Sequence, residues 1–315
     1  MRRVRKLGFT AILTAVACAV FFYLTEPRHI YFLYRCISGA KDILACWMAK
    51  PTAFKTTTMG ITYEGHTLDE IDAHILYDGA YEKAEMFFLR DVSRGGIFLD
   101  IGANKGFYSL FMSKYVREVH AFEPYEPVLK TFRTLMANNS IKNIVIHPVG
   151  LGDKAQRLTF ESPPPNNLMA GSFVFVSKTG THEELEITTG DQALQDSGVR
   201  EVELIKMDIE GFEKPALRGL TKSLVTYRPV MVFELTTSKK NPVLFKNIDE
   251  IYKTFPPGYR FLVFKKADPF TGAYEIVPLD PNAINFAADF EQHDLIAMPV
   301  EKLDRIPQKG PIRTH

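Results

Sequence analysis

Hydrophobic and polar positions change their rhythm several times along this chain. Behind Arg2, Arg3, Arg5 and Lys6 lies an uncharged run, Leu7 to Leu24, LGFTAILTAVACAVFFYL. About 18 residues of helix at ~1.5 Å rise nearly cross a ~30 Å hydrocarbon layer. The run closes on Phe21, Phe22, Tyr23 and Leu24, then Glu26 and Pro27, with no small-x-small cleavage site. A retained single-pass membrane anchor over residues 1–26 is therefore expected. Its flanking charges, with Arg28, Arg35 and Lys41 on the far side, are too evenly balanced to fix the membrane side of the large domain. Residues 27–66 read as a juxtamembrane segment and linker. Ile30–Met48 is aromatic and apolar with scattered charges, as in an amphipathic helix, and Lys50–Gly65 is a polar, Thr-rich connector.

From Thr67 to Arg94 apolar residues recur at helical spacing, with an interruption near Asp78-Gly79. The pattern then alternates. Ile97–Ile101, Glu118–Phe122 and Ile144–Val149 read as strands, separated by helices over Phe107–Tyr115 and Pro127–Asn138. Short strands over Arg157–Glu161, Ser172–Ser177 and Glu184–Thr188 read as an insertion. The alternation resumes with strand Glu203–Met207, helix Lys214–Val225, strand Val230–Glu234, helix Val243–Phe255, strand Arg260–Lys265 and a late strand Asp294–Met298. Such alternation predicts an α/β domain over residues 67–300, a mostly parallel sheet with helices on both faces. Residues 301–315 form a polar tail.

Composition narrows the function. The 38 basic and 37 acidic side chains leave a net charge of +1, which excludes a general nucleic-acid binder. The three cysteines, Cys18, Cys36 and Cys46, match neither a disulfide framework nor zinc spacing, and no metal site is expected.

The chemistry concentrates at strand ends. In Gly96-Ile-Phe-Leu-Asp100-Ile-Gly102-Ala103-Asn104-Lys-Gly106 an apolar strand ends in an acid and runs through a glycine-spaced turn into a helix. Glycines let backbone approach a ligand, and a helix N-terminus offers free amides. About twenty residues on, a second strand ends in Glu123-Pro124, where a carboxylate suits the two hydroxyls of a ribose. The dinucleotide fingerprint G-x-G-x-x-G fails, since its third position is Asn104 and the spacing is GANKG. Asp100 would repel a pyrophosphate but welcome a cationic aminoacyl-sulfonium. S-adenosyl-L-methionine is therefore preferred over NAD as cofactor.

Taken in order, FLDIGANKGFYSLFMSK, AFEPYEPVLKTFR, GLGD at Gly150–Asp153, IKMDIEGFEKPALRG and VMVFEL resemble the FkbM-type methyltransferases, from about Gly95 to Pro299. The resemblance implies a class I methyltransferase, Rossmann-like fold with a seven-stranded sheet, S-adenosyl-L-methionine as donor, and a hydroxyl acceptor on a sugar, glycan or natural product. By matching positions, Asp100, Gly102, Ala103, Asn104 and Gly106 shape the methionine side, and Glu123 with Pro124 takes the ribose. The loop of Gly150 and Asp153 flanks the adenine. The strand-end rule for open α/β sheets points to the same places.

On the acceptor side Asp208 and Glu210 share one direction on an extended backbone. One of them can take the acceptor proton, while Asp208 also suits cofactor contact. Glu213 fits a charge in the first turn of the next helix. Glu234, at the end of the fifth strand, is a further acceptor-side candidate, and His120 and His147 read as packed strand residues. The loop Ser162–Ser172, rich in Pro and polar side chains, is the candidate lid. The leading expectation is a membrane-anchored O-methyltransferase whose partner is a glycan, lipid-linked saccharide or small-molecule hydroxyl acceptor. The alternatives are a catalytically inactive nucleoside-binding or scaffold protein of the same fold and, less favoured, an NAD-linked oxidoreductase. Oligomeric state has no signature here.

Overall fold

The computed structural model describes residues 52–67, 69–163, 171–176 and 180–307. The expected anchor, the amphipathic Ile30–Met48 stretch and most of the candidate lid lie outside them. Among the described residues no helix is long and apolar enough to cross a membrane.

Strands β1 (Ala53–Thr58) and β2 (Ile61–His66) pair with each other in the segment that the sequence presents as a connector. Only Ile61 and Tyr63 are buried in β2, too short an alternation to stand out among threonines. Helices α1 (Glu70–Tyr77) and α2 (Lys83–Val92) follow, broken near Asp78-Gly79 as expected. Next come β3 (Ile97–Ile101), α3 (Phe107–Met112), β4 (Glu118–Phe122), α4 (Glu126–Asn138) and β5 (Ile144–His147). The insertion is a small sheet of β6 (Gly150–Leu151), β7 (Gln156–Glu161) and β8 (His182–Thr188), in order β6-β8-β7. Of the expected strand Ser172–Ser177, the described residues 172–176 hold one bridge, between Ser172 and Glu161. The Ser172 hydroxyl accepts from the backbone N–H groups of Val174 (3.0 Å) and Phe175 (3.1 Å), a local turn that draws the chain off the ladder.

After α5 (Gly190–Asp196) come β9 (Leu204–Met207), α6 (Glu213–Gly219), α7 (Thr221–Tyr227), β10 (Val230–Thr237), α8 (Ile248–Thr254), β11 (Tyr259–Ala267), β12 (Tyr274–Pro278) and β13 (Glu291–Pro299). The single helix expected over Lys214–Val225 is two, bent at Leu220 (φ −107°). Helix α8 starts later than expected because the Asn247 side chain caps it, accepting from the N–H of Glu250 at 3.0 Å. Among the described residues the main sheet has eight strands rather than seven, in order β12-β11-β13-β10-β9-β3-β4-β5. From β10 to β5 it is parallel; β13, β11 and β12 extend it antiparallel. The extra strand, β12, is a half-buried edge strand, so it shows no apolar run.

Both faces of the central strands are buried, and period-2 alternation divides their side chains between two cores. Phe98, Val119, Leu204, Val230, Val232 and Ile296 face the core under α2, α3 and α4. Leu99, Ile205, Met207, Met231, Phe233 and Leu295 face the core under α6, α7 and α8. Because Phe98 is fully buried at the centre of the first core, Phe98→Ala is expected to cost about 3–5 kcal/mol in equilibrium denaturation. A loss under about 1 kcal/mol would contradict this packing.

Candidate active site

Chain order reverses between β3 and β9. The chain runs outward from β3 through β4 to β5, then returns to β9 on the other side of β3. Ligands in open α/β sheets bind beyond the strand ends at such a switch. A cleft of about 110 Å³ lies there. Gly102, Asn104, Glu123, Pro124, Asp208 and Glu210 line it together. Ile71 and Tyr81 from the N-terminal segment, and Phe160, Gly171 and Phe173 from the insertion, form further walls.

The glycine turn between β3 and α3 is shaped by close approach. Gly102 has φ +87°, and a Cβ there would stand 1.8 Å from the backbone oxygen of Asp208. A Cβ on Gly106 (φ +80°) would stand 2.1 Å from the Phe132 ring. Between them Asn104, a non-glycine residue, adopts φ +49°. Its backbone N–H donates to Glu123 Oε2 at 3.0 Å, and Glu123 Oε1 accepts from the N–H of Tyr125 at 2.9 Å. Burial pushes Glu123 up to about 7 against these two hydrogen bonds. Asp100 is buried beneath the turn, where Ser109 Oγ of α3 donates to it at 2.5 Å. Burial raises it to about 6, opposed by Ser109 and Lys206.

The other wall follows from strand parity. Asp100 on β3 and Lys206 on β9 are register partners, and Glu234 on β10 is the partner of Asp294 on β13. All four share the side of the sheet on which α2 packs. Lys206 is almost wholly buried; its Nζ donates to Glu82 Oε2 at 2.9 Å and to Glu85 Oε2 at 2.8 Å, and lies 3.9 Å from Asp208 Oδ2. Burial disfavours its charge, but Glu82, Glu85, Tyr108 and Asp208 outweigh that and hold it well above an ordinary lysine. Tyr108 OH donates to Glu82 Oε2 at 2.9 Å. Gln292 Nε2 donates to Glu234 Oε2 at 2.9 Å.

Burial, then the neighbouring carboxyls, raise Glu210 to about 8 and Glu234 to about 10. Asp208 is raised by burial to about 7, with Lys206 opposing. Glu213 is not only a first-turn charge. It is buried, and its Oε1 accepts from the N–H groups of Ile209 (3.2 Å) and Gly211 (3.1 Å), so it organises the turn bearing Glu210, which itself has φ +52°. Burial raises Glu213 to about 7.

The sequence-predicted residues thus divide. Gly102, Asn104, Glu123, Pro124, Asp208 and Glu210 meet in one cleft. Asp100, Ala103 and Gly106 underlie it without lining it, and Gly150 packs behind Pro124. Glu234 stands beside the cleft, its carboxyl raised by Asp208 and Glu210. Asp153 is exposed and faces a separate groove shared with Thr189, Arg200 and Arg218. His120 and His147 are packed, with Nδ1 of the first 2.9 Å from Nε2 of the second, and His147 stacked on Phe122. Burial lowers both, His147 to about 4. Lys206, Glu82, Glu85 and the wall residues Ile71 and Tyr81 are additions that the sequence pattern does not single out. Lys206 carries one usable signal, a charge inside an apolar strand.

Gly102→Ala, unable to seat its Cβ, is expected to lower stability and distort the turn; thermal denaturation and ligand titration measure both. A second expectation concerns pH. Glu123, Asp208, Glu210 and Glu213 titrate higher in the folded chain than when unfolded, so the folded state binds more protons in between. Stability of the unliganded chain is then expected to fall as pH rises from about 5 to about 8, with a shallower fall in Glu210→Gln, in pH-dependent denaturation.

The chain is also similar to known proteins. The model of the FkbM methyltransferase domain matches residues 100–261, more than half of the 315-residue chain. Methyltransferase 1 of Beauveria bassiana is 29% identical over 164 residues, 45% of this chain and 65% of that protein. Hexuronic acid methyltransferase AglP of Haloferax volcanii is 27% identical over 146 residues, 46% of this chain and 58% of that protein. The chain therefore spans about three-fifths of the length of these curated relatives. A solved FkbM methyltransferase from Methylobacillus flagellatus KT is similar over 68% of this chain and 47% of its own, at 16% identity and a TM-score of 0.43. On the match through its strand–turn–helix core, the chain belongs to the FkbM methyltransferase domain family.

Proposed function

We propose that this protein is an S-adenosylmethionine-dependent methyltransferase that methylates a hydroxyl of a sugar, glycan or lipid-linked saccharide. One observation carries the reading. The glycine turn, Glu123 and the Asp208–Gly211 turn converge on a single cleft at the switch point of the sheet. The residues fit the donor. Where a Cβ on Gly102 would collide with Asp208, backbone alone can pass, and Glu123 offers a buried carboxyl at the strand end. The bound donor supplies an electrophilic methyl on a sulfonium.

In this reading Gly102 and Asn104 hold the aminoacyl end, Glu123 takes ribose hydroxyls, and Pro124, Val128 and Phe160 give the adenine an apolar wall. Gly150, behind Pro124, supports that wall, and Asp100 supports the turn from below. Asp208 and Glu210 orient the acceptor hydroxyl, and one of them accepts its proton. A base near the working pH combines availability with driving force, which suits Asp208 at about 7. Glu234, with Gln292, orders the acceptor side. Alignment and exclusion of water by the walls supply the remainder. The name of the Haloferax relative, a hexuronic acid methyltransferase, supports a saccharide acceptor. The run Leu7–Leu24, with its expected role as an anchor, would hold the enzyme near membrane-bound acceptors.

Calorimetric titration of the full chain with S-adenosylmethionine is expected to show micromolar binding. Glu123→Ala weakens it by about tenfold or more, the loss of a charged hydrogen-bonding group. Asp208→Asn keeps donor binding but abolishes the one-methyl mass gain of an accepted saccharide. A folded chain that binds no donor removes the reading and favours a non-catalytic role.

A further inference from the structure

Next to the glycine turn lies a buried ion cluster. Lys105, next to Asn104, sends its ammonium into the N-terminal segment, where Nζ stands 2.8 Å from Asp72 Oδ2 and 3.2 Å from Asp69 Oδ2. All three side chains are buried. Asp72 is otherwise satisfied: Oδ1 accepts from Tyr63 OH of β2 at 2.8 Å, and Oδ2 also accepts from the N–H of His66 at 2.8 Å. Asp69 caps α1, its Oδ1 accepting from the N–H of Asp72 at 3.1 Å. Ile71, between the two acids, is itself a wall of the cleft.

We propose that Lys105 and Asp72 form a positioning pair for the donor, fixing the Asn104 turn and the Ile71 wall in one arrangement. The inference rests on the proposed donor site. The turn is held from two directions: the Asn104 N–H is fastened to Glu123, and the next side chain is fastened to α1. Asn104 adopts a left-handed backbone (φ +49°), which asparagine tolerates, and its Oδ1 accepts from the N–H of Lys105 at 2.7 Å, so the turn and Lys105 are coupled locally. A purely structural link would not need to join the residue beside one cleft-lining position to the residue beside another. Asp69 and Asp72 also lie ahead of the stretch that matches the family, so the pairing ties the matched turn to residues outside that stretch.

The test is calorimetric titration of S-adenosylmethionine into the full chain and its variants, well below each melting temperature. Lys105→Met and Asp72→Asn are expected to raise Kd by about tenfold, and Lys105→Arg to recover most of that loss. The double variant Lys105→Met/Asp72→Asn should lose less than the sum of the singles, since the pair acts as a unit. Tyr274→Phe, which removes a hydrogen bond to Asp91 of 2.8 Å on α2, serves as a stability control and should leave Kd unchanged. If the Lys105 and Asp72 variants lower only the melting temperature and bind the donor as the wild type does, the inference is overturned. If the wild type binds no donor, the functional reading falls and the inference falls with it. Should Lys105→Met not fold, Asp72→Asn and Lys105→Arg decide the question.

Discussion

Burial of carboxyl groups at the ends of the central strands is the constraint on which the rest of the site depends. Strand parity places Asp100, Glu234 and Asp294 on one side of the sheet, and the turn after β9 adds Asp208. Glu234 and Asp294 stand directly opposite one another, an arrangement that destabilises two ionised acids. Desolvating each charge costs several kcal/mol unless it is paired or protonated. The fold answers in two ways. It buries Lys206 among the acids, and it leaves the more remote carboxyls protonated near neutral pH.

The same constraint explains why the segment before the core domain packs where it does. Lys206 needs more than the one carboxylate its own strand end supplies, and α2 brings Glu82 and Glu85 to it. Glu82 reaches that place from a left-handed backbone (φ +46°) at the head of α2. Lys105 draws α1 in the same way through Asp69 and Asp72. Two buried lysines from the core domain thus each grip an acid pair on the preceding segment. Severing either from its partners would strand charge in a low dielectric, at a cost of about 3–5 kcal/mol. The N-terminal helices are fastened by electrostatics as much as by their apolar faces.

What is legible in the sequence is what has a local cause. The strand–turn–helix of GANKG shows because glycine spacing and an apolar run are contiguous, and Glu123 because it closes the next strand. Period 2 predicts Asp208 and Glu210 on one side, but the strand ends at Met207 and Glu210 is left-handed (φ +52°), so the turn that Glu213 holds, and not strand parity, brings both to the cleft. The partnerships of Lys206 with Glu82 and Glu85 span more than a hundred residues and leave no periodic trace. The hairpin β1–β2 passes for a connector because its buried face amounts to Ile61 and Tyr63, and Tyr63 matters through a hydroxyl on Asp72 that no hydropathy pattern reveals. Glu213 is half legible: its place in the first turn of α6 is visible, whereas its bonds back to the Ile209 and Gly211 amides are not.

The division of labour among the acids also follows from their burial and their neighbours. Asp208 lies 3.9 Å from the Lys206 ammonium, and that attraction offsets part of its burial. Glu234, buried and beside Asp208, Glu210 and Glu213, keeps its proton to about 10, whereas Asp208 releases it near 7. As pH rises, Asp208 ionises first, and its negative charge raises Glu234 further. One carboxylate available to accept a proton beside another held as a neutral acid is the arrangement by which environment sorts chemically similar groups into different roles. Here burial raises both groups, and Lys206, held in place by α2, is the cation that opposes it.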